Sequence, residues 1–210
     1  MLGSHKSSAA GTYNVYTVPN NKTVEANVIV HNASGAVNKV TLYRSTISSP
    51  TAIHTIQIDS LPIDGGYERT ALVLKAGDII SYSTDTIGTH VSVIGGVYDT
   101  RSNEISSQML ITSNTETVIY DNTIAKAGTV NICASMGHGS LNVDQATCEL
   151  YISSTNAAAG AKITKTIISG TGTTGFEKTG LAIGATDKVI CVTTNLTGQV
   201  ATCVSGYTKG

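Results

Sequence analysis

The segment Gly66-Tyr67-Glu68-Arg69-Thr70-Ala71-Leu72 returns 109 residues later as Gly175-Phe176-Glu177-Lys178-Thr179-Gly180-Leu181, and Asp78 returns as Asp187 at the same offset. Leu42-Tyr43-Arg44-Ser45 returns as Leu150-Tyr151-Ile152-Ser153 after 108 residues, and Val24 to Val28 runs parallel to Val130 to Ala134 after 106. A chain that repeats itself over half its length is built from two copies of one folding unit, and a slowly growing offset is what small loop insertions produce. The repeat predicts one unit over residues 12–99 and a second over 116–210, joined by a linker at 100–115 that lacks apolar alternation at Thr100 to Glu104. Residues 1–11 have no counterpart in the second copy and are expected to be an N-terminal arm, carrying only Met1 and Leu2 as large apolar side chains.

Within each copy the dominant period is two. Val24, Ala26, Val28 and Val30 alternate with Glu25, Asn27, Ile29 and His31, which places the first set on one face of a strand. Similar runs lie at Tyr13 to Val18, Lys39 to Ser45, Ala52 to Ile58, Tyr67 to Leu74, Asp78 to Thr84 and Thr89 to Tyr98. Turn chemistry separates them: Pro19-Asn20-Asn21, Asn32-Ala33-Ser34-Gly35, Asp64-Gly65-Gly66, Lys75-Ala76-Gly77 and Ile87-Gly88. The palette agrees, with 52 Ser plus Thr, 21 Gly, no Trp and a hydrophobic fraction of 40 % dominated by Val, Ile and Ala, which suits half-buried pleated surfaces better than helices. The fold class expected is all-β: two tandem antiparallel β-sandwich domains, Ig-like or jelly-roll-like, of about seven strands each.

Charge narrows the function classes. With 13 basic and 14 acidic residues, a net charge of −1 and no basic run, the chain lacks the electrostatic footprint of a nucleic-acid or membrane-surface binder. The start of the sequence shows no apolar signal-peptide core and no run of 18 apolar residues occurs, so neither export nor a membrane span is expected. The five histidines, His5, His31, His54, His90 and His138, have no metal-ligand spacing. Gly137-His138-Gly139-Ser140 lacks the following helix that would make it an anion loop. No G-x-S-x-G occurs, and the Asn-x-Ser/Thr triplets at Asn21, Asn32 and Asn195 are what a chain one-quarter Ser and Thr produces by chance. Glu68 and Glu177 recur as a pair, but each copy offers that Glu alone where a glycosidase needs two carboxylates across one cleft. They are expected to make structural salt bridges. No catalytic, metal-binding or cofactor-binding residue is expected.

The stretch Tyr16-Thr17-Val18-Pro19-Asn20-Asn21-Lys22-Thr23, the strand up to Asn32, and Glu68-Arg69-Thr70-Ala71-Leu72-Val73-Leu74-Lys75-Ala76-Gly77-Asp78 resemble a small β-sandwich domain that recurs in structural proteins of tailed-bacteriophage virions. The second copy keeps Glu177-Lys178-Thr179-Gly180-Leu181-Ala182-Ile183 and Asp187 but departs at Val118-Ile119-Tyr120-Asp121, which lacks the Pro, and at Ala125-Lys126-Ala127-Gly128 in place of the Asn-Asn-Lys-Thr turn. The resemblance implies a non-enzymatic virion component: a capsid decoration, a neck or tail adaptor, or a fibre-type accessory protein. Its partners would be other virion proteins and further copies of itself, and its place the virion, assembled in the host cytoplasm. The alternative is a module of an adhesin or tail fibre that binds a host surface receptor or glycan, although no Trp is present to stack on a sugar.

All four cysteines, Cys133, Cys148, Cys191 and Cys203, fall in the second copy, and four cysteines admit three connectivities. A hairpin centred on Thr197 sets Cys191 opposite Cys203, and the same register in the first copy sets Tyr82 opposite Ile94 about Gly88. In a reducing cytoplasm that pair is expected to remain as thiols, with Cys133 and Cys148 unbonded.

Overall fold

The computed structural model describes residues 1–100, 103–123, 126–136, 145–169 and 175–208. The first half contains β1 (Gly3–Lys6), β2 (Gly11–Thr17), β3 (Lys22–Asn32), β4 (Asn38–Ser45), β5 (Thr55–Leu61), β6 (Gly66–Leu74), β7 (Ile79–Thr84) and β8 (Thr89–Asp99). The second contains β9 (Glu104–Ile111), β10 (Glu116–Asp121), β11 (Gly128–Met136), β12 (Gln145–Ser153), β13 (Ala161–Ser169), β14 (Gly175–Ile183), β15 (Lys188–Thr194) and β16 (Val200–Thr208). Single 3-10 turns at Ala52–His54 and Ala157–Ala159 precede β5 and β13. The first of them takes residues that the sequence reading assigns to the start of a strand.

The strands form four antiparallel four-stranded sheets, ordered β1-β8-β3-β6 and β2-β7-β4-β5 in the first half, β9-β16-β11-β14 and β10-β15-β12-β13 in the second. The second pair of orders is the first with eight added to every label, so one topology occurs twice. Sheets of four strands interleaved in this way are the jelly roll, an eight-strand sandwich of two Greek keys. The all-β reading holds, with eight strands per sandwich among the described residues where the sequence suggests about seven.

Each sandwich fills its interior with the alternating residues of its strands. Val24, Ala26, Val28, Val30, Val40, Leu42, Ile80 and Tyr82 belong to one core, and Ile132, Ala134, Leu150, Ile168 and Val204 to the other. Fully burying one such aliphatic side chain contributes about 1.5–3 kcal/mol, which is why aliphatics alone can hold two sheets together. The ladders show where the copies correspond. Ile29 pairs with Glu68 as Cys133 pairs with Glu177, and Leu42 pairs with Tyr82 as Leu150 pairs with Cys191. Tyr43 and Tyr151 follow in the same register, facing Ser81 and Ile190. The β3 alignment needs a correction: Ala26 faces Leu72 as Val130 faces Leu181, so these strands match at an offset of 104, not 106.

Both β3–β6 and β11–β14 carry a bulge at the same place. Ala71 (φ 50°) and Gly180 (φ 69°) sit in the left-handed region, and their amides donate to Asn27 Oδ1 (3.0 Å) and Asn131 Oδ1 (2.9 Å). The asparagine replaces the carbonyl partner that the bulge removes. The Asp78 and Asp187 turns are also alike, with a carboxylate oxygen accepting from the amide of Lys75 (2.8 Å) and of Gly184 (2.6 Å).

Three expectations are corrected here. Gly3–Lys6, expected in an arm, is the edge strand β1, with Gly3 opposite Val93 and Lys6 opposite His90. Flanking amides continue the ladder, Leu2 N donating to Val93 O (2.8 Å) and Ser7 N to Thr89 O (2.9 Å). Backbone hydrogen bonds hold this strand, so the scarcity of large apolar side chains does not release it. Residues 104–111, expected in a linker, are the edge strand β9, paired along its length with β16; Arg101 and Ser102 lie outside the described residues. Finally, β7 and β8 belong to different sheets, as do β15 and β16. Their connections arch across the sandwich instead of folding back as hairpins, so Cys191 does not face Cys203 and Tyr82 does not face Ile94. Cys203 faces Cys133 directly, and Cys191 faces Leu150, one diagonal step from Cys148.

Candidate functional site at the junction of the two sandwiches

The strands that leave the first sandwich half-open at one side, β5 and β6, are edge strands of opposite sheets. That open side rests on the outer face of the β9-β16-β11-β14 sheet. Strand alternation sends Ile132 and Ala134 into the second core and Cys133 and Ser135 out to the junction, yet all four are buried. Ile58 N donates to Ser135 Oγ (3.1 Å), and the Cys133 thiol points to Ile56 O (3.9 Å). Ala71 O, freed by the bulge, accepts from Ser205 Oγ (3.0 Å) and Asn131 Nδ2 (3.3 Å).

The charged centre of the junction is Arg69. Its guanidinium is buried at 4 % exposure, donates through Nε to Gln57 Oε1 (2.8 Å), and pairs through Nη1 with Glu177 Oε2 (3.4 Å) of the second sandwich. Thr70 Oγ1 donates to the other Glu177 oxygen (2.7 Å). Glu177 therefore bridges the sandwiches instead of pairing within its own sheet, while its repeat mate Glu68 accepts from Asn27 Nδ2 (2.9 Å) on the exposed face. A second strip of polar contacts runs along β9. Gln108 Nε2 donates to Arg44 O (2.8 Å), Ser106 Oγ to Val73 O (3.2 Å), the Arg44 guanidinium to Ser106 Oγ, and Thr23 Oγ1 to Glu104.

The cross-strand pair Cys133 and Cys203 belongs to this junction and packs with the first core. The hydrogen bond the two thiols share, together with burial, raises Cys133. The same bond from Cys133, helped by the Arg44 and Arg69 guanidiniums, lowers Cys203. All four cysteines are free and buried. Native protein should therefore show no fast reaction with an aromatic disulfide reagent, and denaturation should release four reactive thiols; fewer than four on denaturation would mean a bridge.

Two hollows adjoin the junction. A cleft of about 400 Å³ is lined by Glu25, Ala71, Val73, Thr129, Asn131, Gly206, Tyr207 and Thr208. A smaller hollow of about 200 Å³ lies among Gln57, Asp59, Tyr67, Glu68, Arg69, Phe176 and Glu177.

The histidines stay apart from these features. His5 Nδ1 lies 2.8 Å from Tyr82 Oη, and the His5 ring stacks on Tyr13 with centroids 4.5 Å apart. His54 Nδ1 accepts from Thr51 N (2.9 Å) in the turn before β5. His31 and His90 face one another across β3 and β8, with ring centroids 6.5 Å apart. The Gly137-His138-Gly139-Ser140 segment lies outside the described residues. Among the described residues no three His, Cys, Asp or Glu side chains are grouped as a metal site would require, and no helix is long and apolar enough to cross a membrane.

On the outer face of β12, Glu149 takes a hydrogen bond from Tyr151 Oη (2.5 Å) and ion pairs with Lys162 (2.9 Å) and Lys165 (3.2 Å). The Tyr151 hydroxyl and then the two lysines hold its carboxyl down to about 2. A folded-state value below the unfolded one, near 4.3, means that the cluster's stabilisation is complete above roughly pH 5 and fades as pH falls through about 2. An NMR titration of the side-chain carboxyl should find Glu149 still ionised at pH 3; a midpoint above 4 would contradict the geometry.

Glu177 makes the structural salt bridge that the sequence suggests, but that it joins two sandwiches is not read from the sequence, though a signal for a junction exists. Ile132-Cys133-Ala134 and Val200-Ala201-Thr202-Cys203-Val204 are buried on both faces and break the alternation seen in β3. Such runs mark strands covered on two sides.

No protein-family model matches the chain, and no curated protein matches it. Solved structures that resemble it include the STIV MCP, at 10 % identity over 99 % of this chain and 95 % of that one, with a TM-score of 0.39. N-glycanase F (PNGase F) is similar at 10 % identity over 98 % and 94 %, TM-score 0.47. A fucolectin from striped bass (Morone saxatilis) serum is similar at 11 % identity over 99 % and 85 %, TM-score 0.29. The class that the topology itself defines is a tandem jelly-roll protein.

Proposed function

We propose that this chain is a non-enzymatic structural component of a virion, of the decoration, adaptor or fibre-type accessory kind found on tailed phages, acting through protein–protein contacts. The observation that carries the reading is the junction: two jelly rolls, one of the folds that capsid proteins use, are clamped by a buried polar network that commits Arg69, the most buried charged side chain among the described residues, to architecture. Arg69 and Glu177 hold two sandwiches in one orientation, and that is what a particle component presenting fixed surfaces to its neighbours requires. In this reading residues 1–100 and 103–208 are the two structural units. The test is electron microscopy of particles made with and without the protein, with mass spectrometry of the purified particles. Loss of a defined external feature supports the proposal; particles that never contain the chain refute it.

A second reading, binding of a glycan or host receptor, has the 400 Å³ cleft in its favour. A tyrosine ring and two hydroxyls at a domain junction are groups that a saccharide could use. A glycan array would separate the readings: a specific sugar lost on Tyr207→Ala would favour the second.

A further inference from the structure

The contact between the sandwiches is made by different surfaces of the two repeats: the β5/β6 side of the first and the outer β9-β16-β11-β14 face of the second. Because the repeats share one topology, each chain also carries the complementary halves: β9 covers the Thr23 and Val73 end of the first sandwich's face, while the end that holds Asn27, Ile29 and Glu68 stays open. The β1-β8-β3-β6 face of the first sandwich corresponds to the covered face of the second, and the β13/β14 side of the second corresponds to β5/β6.

The ion pair and the bulge of the junction are matched at these open surfaces, while Gln57, Ser135 and Cys203 are replaced by Thr164, His31 and Ser92. The ladders place Glu68 at the position of Glu177 and Lys178 at that of Arg69, because Val28 faces Arg69 as Ile132 faces Lys178. The basic and acidic partners of the internal ion pair are thus both present, one on each open surface. Thr179 repeats Thr70, the second donor to the carboxylate. Asn27 repeats Asn131, whose amide bonds the carbonyl of the bulge, and the bulge recurs at Gly180. Ile29, 37 % exposed, stands where the buried Cys133 seals the internal junction.

We propose that a second copy of this chain docks through its β13/β14 side on the β1-β8-β3-β6 face, repeating between chains the contact that joins the sandwiches within one, with Lys178 of one copy against Glu68 of the next. The interface is heterologous, so it closes into a ring or runs on as a filament, according to the rotation it imposes. It deepens the structural reading above by naming the surface and the partner, but it does not depend on finding the chain in particles.

The experiment is sedimentation and light scattering of the purified chain at concentrations up to about 1 mM, the weak end of specific association. The wild type should associate, and Glu68→Lys or Lys178→Glu should each weaken association by at least about tenfold through like-charge contact. A mixture of the two variants should regain it, since Lys at 68 then meets Glu at 178. Ile29→Asp, at an exposed position, is the independent check and should also leave monomers. Circular dichroism of every variant should match the wild type. A wild type that stays monomeric overturns the proposal, as does association indifferent to the charge variants or not regained on mixing. Failure to find the chain in particles would instead strike the virion reading alone.

Discussion

Replacing Glu177 by alanine should cost about 2–4 kcal/mol of unfolding free energy, and the loss should appear as a splitting of one denaturation transition into two. Removing one partner of a buried ion pair usually costs about 3–5 kcal/mol because the other charge is left uncompensated. The Glu177 side chain retains 23 % of its exposure while that of Arg69 retains 5 %, so water relieves part of the strain on the carboxylate side but little on the guanidinium side. Gln57 still accepts from Arg69, which sets the lower bound. The double variant Arg69→Met/Glu177→Met is the informative contrast: apolar side chains of similar volume in place of both partners remove the buried charges themselves, and the expected loss is only about 1–2 kcal/mol, set by the donor that Gln57 Oε1 loses. Urea titrations followed at two probes, one per sandwich, check both statements. Coincident transitions in Glu177→Ala would mean that the junction couples the sandwiches through packing alone.

Period two and the turn residues recover β3, β4, β6, β7 and β8 to within two residues at either end: in β3, β4 and β8 a buried face alternates with a wetter one, whereas Leu72-Val73-Leu74 in β6 and Ile80-Ser81-Tyr82 in β7 are buried on both faces and the flanking turns set the bounds. The two edge strands that escaped did so for opposite reasons. In β1 the side chains facing inward are Gly3 and His5, so alternation is present but carries no hydrophobic contrast. In β9 the contrast is erased, since Ile105 enters the second core while Glu104, on the other face, is covered by the junction. Cys191 and Cys203 are not opposed because the connection between β15 and β16 changes sheets, which depends on topology and not on turn chemistry. Glu68 and Glu177 show the limit of reading a repeat as symmetry. The backbone places them identically, yet one lies at an internal junction and the other on an open face, because a tandem of two has only one contact between its members.

Tyr82→Ala should be the most damaging single substitution in the first sandwich, lowering its stability by about 3–5 kcal/mol, the usual cost of emptying a buried aromatic site. The ring has no exposed surface, sits among the first core residues and contacts Tyr13 with centroids 5.5 Å apart. Its hydroxyl is the link between the core and the edge, donating to Thr89 O (3.3 Å) and lying 2.8 Å from His5 Nδ1. Burial pushes the phenol up to about 12, so the hydroxyl keeps its proton and this bonding pattern across the physiological range. Tyr82→Phe separates the two roles: it keeps the packing and removes the polar link, for an expected cost of about 1 kcal/mol. Because β1 is held by its ladder to β8, by the stack of His5 on Tyr13 and by this hydrogen bond, the local effect of Tyr82→Phe should exceed the global one. Hydrogen exchange at the β1 amides should accelerate by about tenfold or more while β3 and β4 stay protected to the limit of global unfolding. Unchanged β1 exchange in Tyr82→Phe would mean that the ladder and the stack of His5 on Tyr13 secure the strand and that the hydrogen bond between His5 and Tyr82 adds nothing to it.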